Sequence, residues 1–429
     1  GKSVLKADGL AAGKGVKIVT DAKESDQFIK GVLEDGIFDE KKIVVEEFIE
    51  GFEMSLITLT DSKNMVLFPT SRDHKKVFEN EKGPNTGGMG TYAPNLEAES
   101  FMPKIEDEIL EKILHGLQSE GIDYRGALFI GLMINQEGIY VLEFNARFGD
   151  PETQVILPLI DNDLLQLLQS TSKGELQKVT LQKNDNKAIC LVMTSGGYPG
   201  SYDKGLEIKL EDGIKSKICH AGTREEDGKL YTSGGRVLNI IATGKCFDEV
   251  QRQAYEDAKK VSFKDMHYRN DIGPKVKRVY VSKKDRFNYA AKELKDEIKN
   301  ALGIDAKNVE VYSRYDLEIE DSDLEKIKDS ILSEKVVDHI YTGEDALKLQ
   351  SEMKSAIAVS YLPGQFDQRR QALIDTAYLV LGKEINATTS KVYSFEGINE
   401  EELKKIEEFL VNPVDSEVVP LLGIPTTLA

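Results

Sequence analysis

The sequence predicts a multidomain protein of mixed α/β and α+β class. At 429 residues it exceeds what one hydrophobic core usually organises, so two to three domains are expected. Up to the pair Gly273-Pro274, β-rich runs are interspersed with amphipathic stretches. Beyond that pair the pattern becomes a regular β-α-β-α alternation containing an internal repeat.

Taken in order, residues 4–7 read as a strand, followed by a Gly-rich stretch over 9–15 and a second strand over 16–19. Asp21, with Glu24 three residues on, is capping-box-like and opens a helix running to about residue 34. Residues 43–48 and 54–60 are further strands. Residues 127–134 and 138–145 flank Asn135-Gln136-Glu137 and form a hairpin. A helix is expected from about 152 to 169, and another from about 247 to 261 after several short strands. In the last third, Phe287 matches Phe366, Leu294 matches Leu373, and Leu324 and Ile327 match Leu403 and Ile406. Val311-Tyr312-Ser313 matches Val392-Tyr393-Ser394, and Val337-Asp338 matches Val414-Asp415. Their common order implies two similar α/β halves packed as an internal pseudo-dimer. The stretch after Ser416 has no periodicity and two prolines, and is expected to be loose.

The composition excludes some functions. A net charge of −18 argues against nonspecific nucleic-acid binding, which needs clustered Lys and Arg. Any anionic substrate must be met by local positive pockets built against that field. No run of about 20 apolar residues is present to span a membrane. Cys190, Cys219 and Cys246 lack metal-ligand spacing and read as reduced thiols of a cytoplasmic protein.

Four segments carry chemistry. Residues 6–16 hold Gly9, Gly13 and Gly15 between strands, with Lys6 and Lys14 for charge. Such a loop lets backbone approach a bulky anion, although a plain hairpin turn with exposed lysines has the same composition. It is not a Walker A loop, because three residues rather than four separate the glycines and Gly15 follows Lys14. Glu46, Glu47 and Phe48 end an apolar strand, with Glu53 beyond Gly51; that strand end suits a base edge and ribose hydroxyls, or is simply solvated. Asp73 precedes a polar loop whose Asn85, Thr86, Gly87, Gly88 and Met89 lack the apolar side chains to pack the loop by themselves, which points to ligand contact. Finally, Glu143 and Asn145 share one face of a strand, with Arg147 continuing that face. Two adjacent oxygen donors suit Mg²⁺, and an arginine there grips a carboxylate or phosphate.

In this order the four segments resemble the glycinamide ribonucleotide synthetase (phosphoribosylamine–glycine ligase) family of ATP-grasp enzymes. The likeness runs from Lys6 to about Gly273 and includes Gly196-Gly197-Tyr198-Pro199-Gly200, His220-Ala221-Gly222-Thr223 and Ser233-Gly234-Gly235-Arg236-Val237. It implies an ATP-grasp domain over 1–185, with an ATP-lid subdomain over about 1–50, and a small β-rich C-terminal domain over 186–273. By resemblance, Lys6, Gly9, Gly13, Lys14 and Gly15 hold ATP phosphates. Glu46, Glu47 and Phe48 meet the adenine, Glu53 the ribose, and Glu143 and Asn145 the Mg²⁺ (or Mn²⁺). Asp73, Asn85, Thr86, Gly87, Gly88, Met89, Arg147, Asp150 and Glu152 line the pocket for glycine and 5-phosphoribosylamine, with Arg147 and Asp150 as catalytic residues.

The implied reaction is ATP-driven amide formation through an acyl phosphate in purine synthesis. The inventory suits positioning and charge neutralisation rather than covalent catalysis. Water must be kept from the acyl phosphate, and residues 6–33 are the expected flap. The region from 275 to 415 resembles the N-terminal scaffold part of clostridial-type formylglycinamidine ribonucleotide synthase, on Lys277-Arg278-Val279-Tyr280-Val281 and on residues 361–369. This implies a duplicated ferredoxin-like βαβ unit, a loose tail over 416–429, and a fusion of two purine-pathway enzymes. Relative to both families, the ligase's N-terminal domain and the synthase's downstream domains are expected as partners lying outside this chain, which by itself should bind ATP yet catalyse poorly. Two other readings stand beside it: a non-catalytic scaffold fragment of such a fusion, and an ATP-grasp ligase for a different acid and amine.

Overall fold

A computed structural model of the chain describes residues 2–9, 15–36 and 42–428. The chain opens with β1 (Ser3–Ala7), β2 (Val16–Val19), α1 (Ala22–Leu33) and β3 (Ile43–Glu47), whose strands form an antiparallel sheet in the order β2-β1-β3. Asp21 caps α1 by accepting from Glu24 N, while the Glu24 side chain reaches back to Thr20 N rather than to Asp21 N. The capping box is therefore shifted by one residue on its return arm.

Next come β4 (Phe52–Thr60), β5 (Met65–Leu67), β6 (Arg72–Asp73), β7 (Lys76–Phe78), β8 (Lys82–Asn85), β9 (Gly90–Ala93), α2 (Leu96–Glu99), α3 (Met102–Ile105), α4 (Glu111–Ser119), β10 (Gly126–Ile134) and β11 (Ile139–Asn145). The alternation along β4 and β10 sends Met54, Leu56, Ile130 and Leu132 to one face, where α2 to α4 cover them. Ile57, Leu59 and Phe129 go to the other face. Asn135 Oδ1 accepts from Glu137 N and Gly138 N, which closes the β10–β11 hairpin.

The third stretch holds α5 (Glu152–Ile156), α6 (Leu164–Lys173), β12 (Lys187–Thr194), β13 (Glu207–Leu210), β14 (Lys217–His220), β15 (Thr223–Glu226), β16 (Lys229–Thr232), β17 (Arg236–Gly244), α7 (Phe247–Ala258) and β18 (Val261–Ser262). The single helix expected over 152–169 is two helices. Pro158 lies in a short 3-10 turn after α5, and the Asp163 side chain accepts from Gln166 N to start α6 afresh. The helix expected to reach 261 stops at Ala258 and gives way to β18. Strands β6 and β9 join β12, β17 and β14 in one sheet, ordered β14-β17-β12-β9-β6. Residues on both sides of position 185 thus share a sheet, and that sheet sandwiches a core with β4, β10, α5 and α6.

The last third contains β19 (Val276–Lys283), α8 (Tyr289–Leu302), β20 (Asn308–Glu318), α9 (Asp321–Ile327), β21 (Asp338–Tyr341), α10 (Gly343–Glu352), β22 (Ser355–Tyr361), α11 (Gln368–Leu381), β23 (Asn386–Glu396), α12 (Glu400–Leu410) and β24 (Ser416–Val419). Its six strands form an antiparallel sheet ordered β21-β19-β20-β23-β22-β24. Helices α9 and α11 share one core with Leu324, Ile327, Leu373 and Ala377. Helices α8 and α12 share the other with Leu294, Ile298 and Ile406. Aligning the strand ends of β20 and β23 matches Tyr315 with Tyr393. The expected match of Val311-Tyr312-Ser313 with 392–394 is therefore out of step by three residues; in the sheet Tyr312 lies directly opposite Val392.

The stretch after Ser416 is not loose. Strand β24 pairs with β22, Leu421 and Leu422 are buried, and Glu97 accepts from Gly423 N at 2.8 Å and Ile424 N at 3.0 Å. Satisfaction of buried backbone groups holds this segment, a force that leaves no periodicity in a sequence.

Candidate active site

One face of the β4–β10–β11 sheet turns polar at its end. Glu53 and Ser55 of β4 lie opposite Met133 and Gly131 of β10, and Gly131 lies opposite Glu143 of β11. These positions and Asn145 therefore share that face. Gly131 gives Glu143 room, since an added Cβ would stand 3.2 Å from Glu143 Cγ. Asn145 Nδ2 donates to Glu143 Oε1 at 3.0 Å, so the two expected metal ligands are side by side.

A bulge in β11 leaves Leu142 as an extra residue, and its carbonyl accepts from Lys6 Nζ at 2.9 Å. Lys6 also pairs with Glu46 at 2.6 Å. Lys6 and Glu46 of the first sheet are thereby brought to the strand that carries Glu143. Glu47 is exposed, opposite Ser3, and Lys2 Nζ sits 5.0 Å from the centre of the Phe48 ring. Ala7 N donates to Gly15 O at 2.8 Å, and Gly9 has φ of +144°. Gly13 and Lys14 lie outside the described residues.

Beside this face lies a carboxylate-lined well that holds Lys75. Lys75 Nζ is 3.6 Å from Glu53 Oε2. Burial works against its charge, but Glu53, Asp73, Glu143 and Glu152 together hold the ammonium above its usual range. Asp73 Oδ1 is buried with no hydrogen-bond partner. Burial, then the neighbouring Glu152, raises the Asp73 carboxyl well above the ordinary range, against the pull of Lys75. Glu152 accepts from Ser55 Oγ at 3.1 Å; burial raises its carboxyl too, while Lys75 and Ser55 act in the other direction. Asp73 and Lys75 on extended chain, with the buried Glu152 at the start of α5, make a site able to exchange protons or receive a cationic group.

The Gly-rich loop closes the well. Thr86 Oγ1 donates to Lys75 O and accepts from Gly88 N. At Gly88, with φ of +111°, a Cβ would come within 2.5 Å of Pro151 Cδ and 2.8 Å of Asp73 Oδ1, so only glycine fits. Arg236 from β17 donates to Gly87 O at 2.7 Å, to Asp150 O at 2.9 Å and to Asp150 Oδ2 at 2.9 Å. Tyr198 OH accepts from Gly87 N. Behind the loop, fully buried Arg269 ties Glu81, Asp271 and the Lys76 carbonyl together, fixing the β7–β8 hairpin.

Most expected residues meet here: Lys6, Glu46, Glu53, Asp73, Thr86, Gly87, Gly88, Glu143, Asn145, Asp150 and Glu152. Arg147 is exposed at the rim and donates to Phe148 O. Asn85 is exposed at the end of β8. Met89 does not face the loop. It is fully buried, bonded through its backbone to His74 and Val192, because it opens β9 into the core. Lys75 and Arg236 lay within segments singled out by sequence yet were not assigned. The two-residue spacing of Asp73 and Lys75 on extended chain could have found the first; Arg236 has no local signal for its reach to Asp150.

Two family models match the chain. One describes the ATP-grasp (A) domain of phosphoribosylglycinamide synthetase and covers residues 1–153; the other describes that enzyme's C domain and covers 188–275. The phosphoribosylamine–glycine ligase of Caldanaerobacter subterraneus subsp. tengcongensis is 45% identical over 273 residues, which is 63% of this chain and 66% of that protein. That of Clostridium acetobutylicum is 44% identical with the same coverage. The trifunctional purine biosynthetic protein adenosine-3 of Gallus gallus is 41% identical over 63% of this chain and 28% of its own length. The crystal structure of the phosphoribosylamine–glycine ligase from Thermotoga maritima matches with a TM-score of 0.57 and 39% identity, over 63% of this chain and 68% of that one. The chain spans about two-thirds of the length of the curated bacterial ligases it matches, at 66% of the first two. Through this region, the chain belongs to the phosphoribosylamine–glycine ligase family.

Proposed function

We propose that the site serves the ATP- and Mg²⁺-dependent ligation of glycine to 5-phosphoribosylamine, through an acyl phosphate, giving glycinamide ribonucleotide in purine synthesis. The observation that carries this reading is the meeting of Lys6 with the strand that bears Glu143 and Asn145. Glu143 and Asn145 suit Mg²⁺: both offer hard oxygen donors on one face, and the remaining positions fall to water and phosphate. Lys6, with the loop around Gly9 and Gly15, suits the ATP phosphates, and Glu46, Glu47, Phe48 and Glu53 the nucleoside. When bound, Mg-ATP supplies the phosphoryl group that activates a carboxylate.

The chain's own residues hold and shield the reactants. Lys75 places a positive charge at the floor of the well, where a carboxylate or phosphate is neutralised. Asp73 and Glu152, with raised affinity for protons, suit an amine that arrives protonated and must lose a proton before attack. Arg236 locks Gly87 and Asp150 together and closes the rim against water. Titration calorimetry tests the reading: Glu143→Gln should weaken Mg-ATP binding by about tenfold or more, because a charged ligand becomes neutral. Unchanged binding would overturn the metal assignment. Phosphate release across a panel of acids and amines separates glycine ligation from another acid–amine pair.

For residues 276–419 we infer a duplicated ferredoxin-like unit, a pseudo-dimer of the synthase-scaffold type joined to the ligase. The offset of 79 residues between the first residues of α8 and α11 supports it, as does the mirrored strand order about β20 and β23. Partner domains of ligase and synthase type, in a cytoplasmic setting, complete the proposal. Among the described residues no helix is long and apolar enough to cross a membrane.

A further inference from the structure

A cavity of about 280 Å³ lies where α2, α7, β19, α9, α10 and residues 424–426 meet, away from the carboxylate-lined well. Leu96, Phe247, Val276, Leu324 and Leu347 give it apolar walls. Lys187, Leu96, Glu344 and Leu347 also border a neighbouring groove of about 550 Å³, so the cavity has room to extend.

Its polar groups are mostly donors. Arg72, Lys187, Lys245, Lys277 and Arg278 line it, against Glu97, Asp321 and Glu344. Arg278 is held by Asp316, and Lys277 by Asp248 and Asp321. Glu97 is occupied by Gln350, Gly423 and Ile424. Lys187 and Lys245 have no ion pair among the described residues, so their charge is uncommitted. Asn95 Nδ2 is a donor without a partner on a side chain that is 1% exposed, and Asn95 lines the cavity. A buried amide donor left unpaired costs about 1–3 kcal/mol unless something accepts from it. Two longer helices also begin at the cavity. Helix α7 starts after Cys246 and α10 after Thr342; neither cap side chain bonds the first turn, and Cys246, Phe247, Gly343 and Glu344 all line the space. Free N–H groups at helix starts favour an anion. Within a chain of net charge −18, this combination concentrates positive potential at one place.

We propose that this cavity binds a small phosphate monoester with a flat apolar body. The phosphate sits among Lys187, Lys245, the Asn95 amide and the two helix starts, and the body lies against Phe247 and Leu347. Because the walls come from both the ligase-like region and the six-stranded sheet, with residues 424–426 across them, the ligand ties these parts together.

Pyridoxal 5′-phosphate tests this on the whole chain, since it is a phosphate monoester on a flat ring whose aldehyde condenses with a lysine amine, releasing water. Borohydride then reduces the imine to a stable amine, and peptide mass spectrometry locates it. Low probe concentrations should label Lys187 or Lys245 about tenfold faster than the other lysines, with adenosine 5′-monophosphate protecting them, as one or two bonds to a charged group would give. Asn95→Asp keeps the oxygen that caps α2 but removes the donor, and should cut the selective labelling about tenfold. Should that variant unfold, the same probe on Lys187→Ala with Lys245→Ala should leave labelling no faster than background. Labelling spread evenly over surface lysines, or undiminished by adenosine 5′-monophosphate, would overturn the proposal.

Discussion

Two clusters of buried charge show different ways of keeping ions out of water. In the six-stranded sheet, Arg278 makes a two-pronged pair with Asp316 at 2.7 and 2.8 Å. Its remaining donors reach Gln350 Oε1 and the Leu421 carbonyl, and Gln350 in turn bonds Glu97. Burial alone would push the Asp316 carboxyl up, but the Arg278 guanidinium overrides it and holds the group below its usual range. In the carboxylate-lined well, Asp73 keeps an unpartnered oxygen, and both Asp73 and Glu152 are pushed up. The first cluster is complete without a ligand; the second leaves groups waiting for one. Completed networks stabilise a fold, whereas incomplete ones carry a cost that persists where binding requires it.

The comparison can be broken most severely at the paired cores beneath the sheet. Ile327→Asp and Ile406→Asp each place an unpaired charge at a fully buried site, one in each half. Each should cost about 4–5 kcal/mol, and by similar amounts, read by loss of amide-exchange protection in β20 and β23. A large effect at one site and a small one at the other would break the equivalence of the halves. Next in size, Asp316→Ala strands Arg278 and should cost about 3–5 kcal/mol by the same measurement. The Asp316 contribution is full above the unfolded value of about 4 and is lost as pH falls through its lower folded value, so acid should weaken this sheet.

Gly88→Ala sharpens the other side. The added methyl meets Pro151 and Asp73, so stability should drop by about 1–3 kcal/mol, read by amide-exchange protection in β9. The smallest effect carries the opposite sign. Asp73→Asn should raise stability by about 1 kcal/mol at neutral pH. Its folded pKa lies above the unfolded one, so ionising Asp73 costs stability as pH rises from about 4 through the folded value. The gain in melting temperature should therefore vanish below about pH 4 and grow above it. A destabilised Asp73→Asn protein would mean that the well is as complete as the sheet.

The site was legible in the sequence where chemistry is local. Alternation alone put Glu143 and Asn145 on one face, and the density of glycine around Gly88 marked the loop. The parts missed depend on distance. Arg236 reaches Asp150 only because β17 and β9 flank β12 in one sheet, and nothing near either residue encodes that meeting. The break within 152–169 was hidden because apolar spacing continues across Pro158. The docked segment after Ser416 is held by Glu97, more than three hundred residues earlier in the chain. In the repeat, helix and strand ends were more reliable than letter matches, since Val311-Tyr312-Ser313 and 392–394 agree in residue type but not in place.

The exchange of helices between the two sheet halves has a consequence for synthesis on the ribosome. Helix α8 needs α12, and α9 needs α11, to cover their apolar sides. Helix α12 begins at Glu400, 111 residues after α8 begins at Tyr289. At about 5–20 residues per second, α8 and its strand wait roughly 6–22 s with Leu294 and Ile298 uncovered. During that interval the nascent chain offers a sticky amphipathic hairpin to any neighbour, and two chains on one message could complete each other's cores before either completes its own.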